Sequence, residues 1–299
     1  MKRRTFLKNS AQVGAGIALS SSMLACMEEH QNYVSTIGLQ LWTVRNQLEE
    51  NPLETLKAIK KHGYHQVELM DTEQIKTLMP LIKDVGLAVN SSFMNFTLLT
   101  GRWDLKGESI PAYTFSQLVE DAQKAGLTEI VFGYMLPGER ATLDQYKKIS
   151  DRLNEAGEEC KSAGIQLCYH NHSFEFLPME GSTGYDVLME RLDPELAKFE
   201  LDVFWSSLGG VEPVELMKKL GNRVHLLHLK DKMTDAPVIY DEGKVPEETF
   251  LPLGKGSVNM QGVLKQAQAS GVKYCLVEQD QSPDPIQDIG VSMSYLENT

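Results

Sequence analysis

Acidic and imidazole side chains follow short apolar runs at three places in the second half of the chain. They are Asp202, His228 and Glu278. Two carboxylates that share a buried position need a cation to offset the cost of their desolvation. Carboxylate oxygens and an imidazole nitrogen together suit Mn²⁺, Co²⁺, Mg²⁺ or Zn²⁺, and ligand type alone does not choose among these ions. If the three side chains meet, they predict a divalent metal site.

An alternation of apolar strands with amphipathic helices must bring these side chains together. Such alternation is typical of βα units and a parallel sheet. Because alternate residues of a barrel strand face the interior, Asp202, His228 and Glu278 can converge from neighbouring strands. The predicted strands span residues 36–42, 65–69, 87–91, 129–134, 165–170, 198–203, 224–229 and 274–277.

Helical patterns fill most of the intervals between these strands. Glycines such as Gly126 and Gly271 follow helical stretches and can end them in the left-handed conformation. No Gly-rich phosphate loop follows the first strand, which favours a single-domain (β/α)₈ TIM barrel over residues 36–299 rather than an open doubly wound sheet. The active site of such a barrel forms at the C-terminal ends of its strands. The predicted helices span residues 52–62, 73–85, 115–125, 143–163, 184–192, 214–220 and 260–270.

The beginning of the chain has the composition of a targeting segment. Three basic residues at positions 2–4 precede an apolar stretch over residues 11–25. This stretch is too short for a spanning helix, which needs about 20 apolar residues. Residues 3–8 resemble a twin-arginine export signal, and residues 23–26 resemble a bacterial lipoprotein cleavage box.

These features predict a signal peptide over residues 1–26 and a polar tether over residues 27–35. The protein would then be exported, either to the periplasm or to a membrane surface through a lipid on Cys26. Export in a folded state would let the metal load in the cytoplasm, which favours Mn²⁺ among the candidate ions.

The formal net charge of −12 limits the possible partners. Nucleic acid and anionic lipid surfaces both require clustered Lys and Arg, so neither is expected as a partner. A small carbohydrate or polyol fits this charge better. Contact with a membrane would occur only through a lipid anchor, and a homo-oligomer is compatible with the sequence.

Several motifs together resemble the sugar phosphate isomerase/epimerase superfamily of xylose isomerase-like TIM barrels, over residues 36–296. The resemblance implies metal ligands at Asp202, His228 and Glu278, and at a strand-five position where the family has Glu. That position is His170 here, so we expect His170 as the fourth ligand, with Glu175 as the alternative. The motifs are Gly-Leu-Gln-Leu-Trp-Thr-Val-Arg at 38–45, Tyr-His-Asn-His at 169–172, Leu-Asp at 201–202, His-Leu-Lys-Asp at 228–231, Leu-Gly-Lys-Gly at 253–256 and Val-Glu at 277–278.

The resemblance also implies a reaction. In the family's epimerases the strand-five and strand-eight Glu residues act as acid and base on opposite faces of the substrate. We therefore expect a divalent-metal-dependent sugar isomerase or epimerase that removes a proton next to a carbonyl, with Glu278 or His172 transferring the proton. Because His170 replaces one Glu, a 3-keto-glycoside lyase or an inosose-type dehydratase is the alternative, and residues 169–172 resemble family members of those kinds.

Two other classes of protein are less consistent with the residues. A lipid-tethered sugar-binding protein would gain little from a costly pair of buried carboxylates. A metal-dependent endonuclease of the same superfamily is disfavoured by the net charge of −12 and by the export signal.

The resemblance places further side chains around a substrate. Gln40 and Trp42 correspond to the family's substrate wall, where an aromatic face stacks on a sugar and a polar group orients its hydroxyls. His172 is a further substrate contact, unless it is a satisfied core histidine. Lys230 binds a substrate hydroxyl or phosphate, unless it forms a rim ion pair with Asp231. The long connections over residues 94–111 and 231–257 are candidate lids.

Overall fold

Eight parallel strands close into a barrel in the computed structural model, which describes residues 36–102 and 113–299. Each strand pairs with its neighbours in the sequence, and the last pairs with the first. The predicted (β/α)₈ TIM barrel is thereby confirmed. The strands are β1 (Gly38–Gln40), β2 (Gln66–Leu69), β3 (Ala88–Phe93), β4 (Glu129–Phe132), β5 (Gln166–His170), β6 (Ala197–Asp202), β7 (Val224–Leu229) and β8 (Tyr274–Val277).

The expected signal peptide at residues 1–26 and tether at 27–35 lie outside the described residues, as does part of the candidate lid at 94–111. Within the described part of the chain, no helix is both long and apolar enough to cross a membrane.

Helices surround the barrel, and all seven predicted ones are present within two residues of the expected bounds. Those at residues 45–50, 97–100, 203–208 and 285–297 were not predicted. The helices are α1 (Arg45–Glu50), α2 (Pro52–Lys61), α3 (Ile75–Asp84), α4 (Thr97–Thr100), α5 (Phe115–Ala125), α6 (Leu143–Ser162), α7 (Gly184–Arg191), α8 (Val203–Leu208), α9 (Pro213–Leu220), α10 (Met260–Ser270) and α11 (Pro285–Glu297).

Local hydrogen bonds explain where two strands end. The side chain of Gln40 accepts a hydrogen bond from the backbone N–H of Trp42, which turns the chain into a 3₁₀ turn and ends β1 two residues earlier than predicted. The carboxylate of Asp202 likewise accepts from the N–H of Trp205 and starts α8 at the end of β6. Both turns leave a polar side chain at the C-terminal mouth of the barrel.

Helix α6 packs very closely against the chain that leads into β6. A Cβ atom added at Gly157 would lie 2.7 Å from the backbone oxygen of Leu196 and 2.9 Å from its Cβ. Backbone atoms cannot rotate away as a flexible side chain can, so this contact requires glycine.

We predict that Gly157→Ala lowers the free energy of unfolding by about 1–2 kcal/mol, because overpacking costs more than the gain in helix propensity returns. Denaturant unfolding measures this. Gly138→Ala, at a position with no atom within 4 Å of the added Cβ, is the control and should be near neutral. A Gly157 variant as stable as the wild type would show that α6 does not pack in this way.

Candidate metal centre and cavity

The three residues with which the sequence analysis began converge at the mouth of the barrel. Asp202 ends β6 and lies opposite His228 of β7, which in turn lies opposite Leu276 of β8. Glu278 follows two residues after Leu276 on the same face. One ligand atom from each of Asp202, His228 and Glu278 lies within 4.8 Å of the others. Asp202, His228 and Glu278 thus meet at one point, as the alternation of strand side chains predicted.

The orientation of His228 shows which nitrogen faces this group. Its Nδ1 lies 2.8 Å from Glu278 Oε2 and 3.9 Å from Asp202 Oδ2. Its Nε2 points the other way, 2.8 Å from Glu68 Oε2 and 3.3 Å from Glu200 Oε2. A metal ion between the two carboxylates would be bound through Nδ1.

His170 has a matching orientation. Its Nε2 lies 3.9 Å from Asp202 Oδ2, and its Nδ1 lies 3.1 Å from Glu200 Oε2, directly across from it on β6. The position at which the family has Glu therefore places an imidazole nitrogen beside the predicted ligands. Glu175, the alternative ligand, is elsewhere: it accepts hydrogen bonds from the Tyr169 hydroxyl and the His172 N–H.

Sequence reasoning missed the part that Glu68 and Glu200 play. Glu68 contacts Nε2 of His228, and Glu200 contacts Nδ1 of His170; both nitrogens face away from Asp202 and Glu278. A carboxylate in this position commonly orients a metal-binding histidine. One signal was available for Glu200, since it lies two residues before Asp202 and shares its strand face. Glu68 gave no signal beyond its place near the end of β2.

Lys230 occupies the centre of a carboxylate cluster. Its Nζ lies 2.6 Å from Glu278, 2.8 Å from Asp280 and 2.9 Å from Asp202. The rim ion pair with Asp231 that was considered as an alternative is wrong, because Asp231 instead accepts backbone N–H groups of the connection between β7 and β8. Lys230 also lines the cavity described below, as its expected substrate role requires.

Burial divides these groups into charged and uncharged members. It raises the pKa of Glu200 well above its usual range, with a further contribution from Glu68. It lowers the pKa of His170 well below its usual range, so His170 is an uncharged imidazole able to ligate a metal.

Ion pairs oppose burial at the other positions. Burial raises the pKa of Glu278, but Lys230 and His228 outweigh it and lower that pKa to about 2. Burial raises the pKa of Asp280 to about 6 against the lowering effect of Lys230. It also lowers the pKa of His228, yet Glu200 and Glu278 more than compensate and raise it well above the usual range.

The donor set fits a divalent ion. Among the described residues that contact these carboxyl groups, Lys230 and His228 carry positive charge while His170 is neutral, and His228 would ligate an ion after losing the proton on Nδ1. Glu200 Oε1 is buried and has no hydrogen-bond partner among the described residues. Mixed nitrogen and oxygen donors with excess acid are the chemistry of such a site. The carboxyl groups are those of the buried Glu68, Glu200, Asp202 and Glu278 and of the partly buried Asp280.

A cavity of about 170 Å³ opens beside this cluster. All four side chains expected to contact substrate line it. The indole of Trp42 is 45% exposed at the rim and stacks under the Arg45 guanidinium, whose carbon lies 4.4 Å from the ring centroid. The lining residues are Gln40, Trp42, Met70, Phe93, Gly133, Tyr134, His170, His172, Lys230, Glu278 and Asp280.

His172 is enclosed by aromatic rings on the cavity wall. It stacks on Phe174 with a centroid distance of 5.2 Å and an interplanar angle of 8°. Trp205 and Tyr134 contact it at 5.1 and 5.8 Å. Burial, with the nearby charge of Lys230, lowers the pKa of His172 to about 3. The ring is therefore uncharged at neutral pH, and its buried Nδ1 has no hydrogen-bond partner among the described residues.

Residues 56–299 match the family model described as xylose isomerase-like TIM barrel. The chain belongs to this family. The match covers β2 to β8 and therefore all the residues of the metal centre. It supports the fold and the broad enzyme class of this xylose isomerase-like barrel.

Among curated proteins, this xylose isomerase-like barrel is similar to inosose dehydratases. It is 33% identical over 97 residues to that of Geobacillus kaustophilus (strain HTA426), covering 32% of this chain and 31% of the relative. It is 26% identical over 149 residues to that of Bacillus cereus (strain AH820), covering 48% and 49%. The matches thus span half or less of each relative's length.

Among solved structures, the barrel is similar to a sugar phosphate isomerase/epimerase from Parabacteroides distasonis ATCC 8503. The two are 25% identical, with a TM-score of 0.73 over 89% of this chain and 98% of that one. The isomerase and dehydratase similarities agree with the two reaction types considered from the sequence.

The buried Glu175 predicts a pH dependence of stability. Burial raises its pKa from 4.5 to about 8, so it stays protonated in the folded protein while it ionises in the unfolded chain. Its contribution is full at low pH and is lost as the pH rises towards about 8. Glu175→Gln cannot ionise; its amide oxygen can accept from the His172 N–H, and its NH2 group can donate to the Tyr169 oxygen once that hydroxyl rotates.

We therefore expect Glu175→Gln to gain stability relative to the wild type between pH 5 and pH 8, measured by denaturant unfolding at each pH. Glu155→Gln, at an exposed position on α6, is the matched control and should follow the wild type. Parallel profiles for the Glu175 variant and the wild type would refute the raised pKa.

Proposed function

We propose that the protein is a divalent-metal-dependent lyase that removes a proton next to the carbonyl of a keto-sugar or keto-polyol and expels water or an alcohol. The observation that carries this proposal is the asymmetry of the cavity. Glu278 lies on one side, and the uncharged imidazole of His170 stands at the strand-five position where the family's epimerases have a second carboxylate, with His172 lining the same cavity. Similarity to inosose dehydratases supports the same choice.

His170, Asp202, His228 and Glu278 would hold the metal, with Mn²⁺ favoured and Co²⁺, Mg²⁺ and Zn²⁺ as alternatives. When bound, the ion supplies a positive charge that stabilises negative charge developing on the carbonyl oxygen. Glu68 and Glu200 would orient the two imidazoles.

The remaining chemistry belongs to the protein's own side chains. Glu278 or His172 accepts the proton from carbon. The electron pair of the broken C–H bond forms a C=C bond while the C–O bond to the leaving group breaks. The leaving oxygen takes that proton from the group that removed it, Glu278 or His172, and departs as water or as an alcohol. Trp42 at the rim offers an apolar face to the sugar, and the Lys230 ammonium can donate to a hydroxyl.

A second candidate reaction keeps the first step and changes the outcome. In a sugar isomerase or epimerase the proton returns to carbon and no bond to oxygen breaks. The structural similarity to a sugar phosphate isomerase/epimerase over 89% of this chain favours this candidate. We further propose that the protein is exported, as its first 26 residues suggest.

We expect the metal-loaded protein to convert an inosose or a 3-keto-glucoside in D₂O into an unsaturated ketone that absorbs in the ultraviolet, with release of water or of the aglycone. NMR of the products distinguishes this from an epimer of unchanged composition carrying deuterium. An epimer or isomer as the only product would replace the lyase with the second candidate, and no exchange of any substrate would remove both.

The variant His172→Gln tests the proton-transfer group in the same assay. If His172 accepts the proton, kcat falls by about 10²- to 10⁴-fold while metal affinity, measured by calorimetry, stays unchanged. A variant with nearly full activity would assign the proton to Glu278.

A further inference from the structure

One carboxylate joins two separate connections at the mouth of the barrel. Glu242, in the connection between β7 and β8, accepts a hydrogen bond from the Tyr134 hydroxyl at 2.9 Å through its Oε1. The same oxygen lies 2.5 Å from Arg140 Nη2. Tyr134 and Arg140 both follow β4. Because β5 and β6 lie between β4 and β7 in the barrel, the Glu242 contacts link connections across the strands that carry His170 and Asp202.

Both partners of Glu242 are connected to His172: Tyr134 contacts it directly, and Arg140 contacts Phe174, which stacks on it. The guanidinium carbon of Arg140 lies 3.4 Å from the ring centroid of Phe174, and this phenyl ring also stacks on the His172 imidazole. Tyr134 contacts the same imidazole edge to face. Glu242 therefore holds Tyr134 and Arg140, and the position of the His172 ring depends on both of them.

The rest of the connection is held independently of Glu242. Phe250 stacks on Phe204 of α8 at 4.6 Å, and the N–H of Ile239 donates to the carbonyl of Leu208. These contacts attach the connection to the β6 side of the mouth. Glu242 extends its attachment to the β4 side, where the side chains of Arg140 and Glu242 are only 8% and 17% exposed. Low exposure shields their charges from water and strengthens the pair.

We propose that Glu242 is a positioning residue, which secures the connection between β7 and β8 across the mouth and sets the orientation of His172 through the Arg140–Phe174 stack and Tyr134. Only the expected effect on turnover rests on the proposed function, since the geometry of His172 does not depend on the reaction. The connection would then be a lid whose closed position is required for proton transfer.

The test compares Glu242→Gln and Glu242→Ala with Glu248→Gln in the full-length protein. Glu248 is an exposed carboxylate of the same connection and serves as the matched control. Glutamine keeps the shape of the side chain, so the Gln variant guards against loss of fold. Three measurements are made on each variant. The first is the ¹⁵N resonances of the His172 ring, which are assigned by their absence in His172→Gln. The second is hydrogen exchange over residues 236–245, and the third is kcat and KM.

We expect the His172 resonances to move and exchange over residues 236–245 to accelerate in both Glu242 variants, more in Glu242→Ala, with the control unchanged. Turnover should fall by about one order of magnitude in kcat, with KM within about twofold, because the ring is misplaced while the cavity remains. Unchanged His172 resonances in folded Glu242→Ala, with exchange over residues 236–245 as slow as in the control, would overturn the proposal.

The resonance and exchange measurements keep this proposal separate from the proposed function. A wild type that turns over none of the substrates would refute the lyase and isomerase assignments, while the His172 resonances still decide the role of Glu242. If the wild type turns over a substrate and Glu242→Ala changes none of the three readouts, the role of Glu242 alone is refuted.

Discussion

The structure at the mouth of this barrel depends on the cost of burying several carboxyl groups together. Burial removes water from Asp202, Glu278 and Glu200, and each charge that remains must find a cation nearby. His228 compensates part of this negative charge, since its two nitrogens each lie 2.8 Å from a carboxylate, Glu278 on one side and Glu68 on the other. Lys230 compensates another part of the negative charge, because its ammonium group contacts three carboxylates. Acid still exceeds base, which is why we infer a divalent ion.

The barrel makes this concentration of charge possible and confines it to one end. Parallel strands in register place Asp202 opposite His228 and His170 opposite Glu200, so residues distant in sequence share one layer of the interior. The loops beyond the strands then provide a different environment a few ångströms away. There His172 lies among Phe174, Trp205 and Tyr134, uncharged in a largely aromatic surrounding. An ion bound by the carboxylate cluster would therefore lie beside an uncharged imidazole.

Features that depend on local pattern could be predicted from the sequence, whereas those that depend on distant partners could not. The strand ending at Asp202 and the helix ended by Gly271 show strong local signals, and both are present. Helix α8 was missed because it is apolar on nearly all sides and continues directly from β6, which hides its helical period. The role of Glu68 was missed because its partner His228 is 160 residues away. The alternative of an ion pair between Lys230 and Asp231 rested on their adjacency in sequence, but successive side chains of an extended chain face opposite ways.

The central claim is that this carboxylate cluster binds a divalent ion, and the most direct test is the melting temperature of the metal-free protein as Mn²⁺ is added. An ion that binds only the folded state stabilises it by about 2.7 kcal/mol at one hundred times its Kd. The account predicts a rise in melting temperature that saturates with Mn²⁺ and is abolished in Asp202→Asn. A melting temperature that does not change with Mn²⁺, Co²⁺, Mg²⁺ or Zn²⁺ would contradict it.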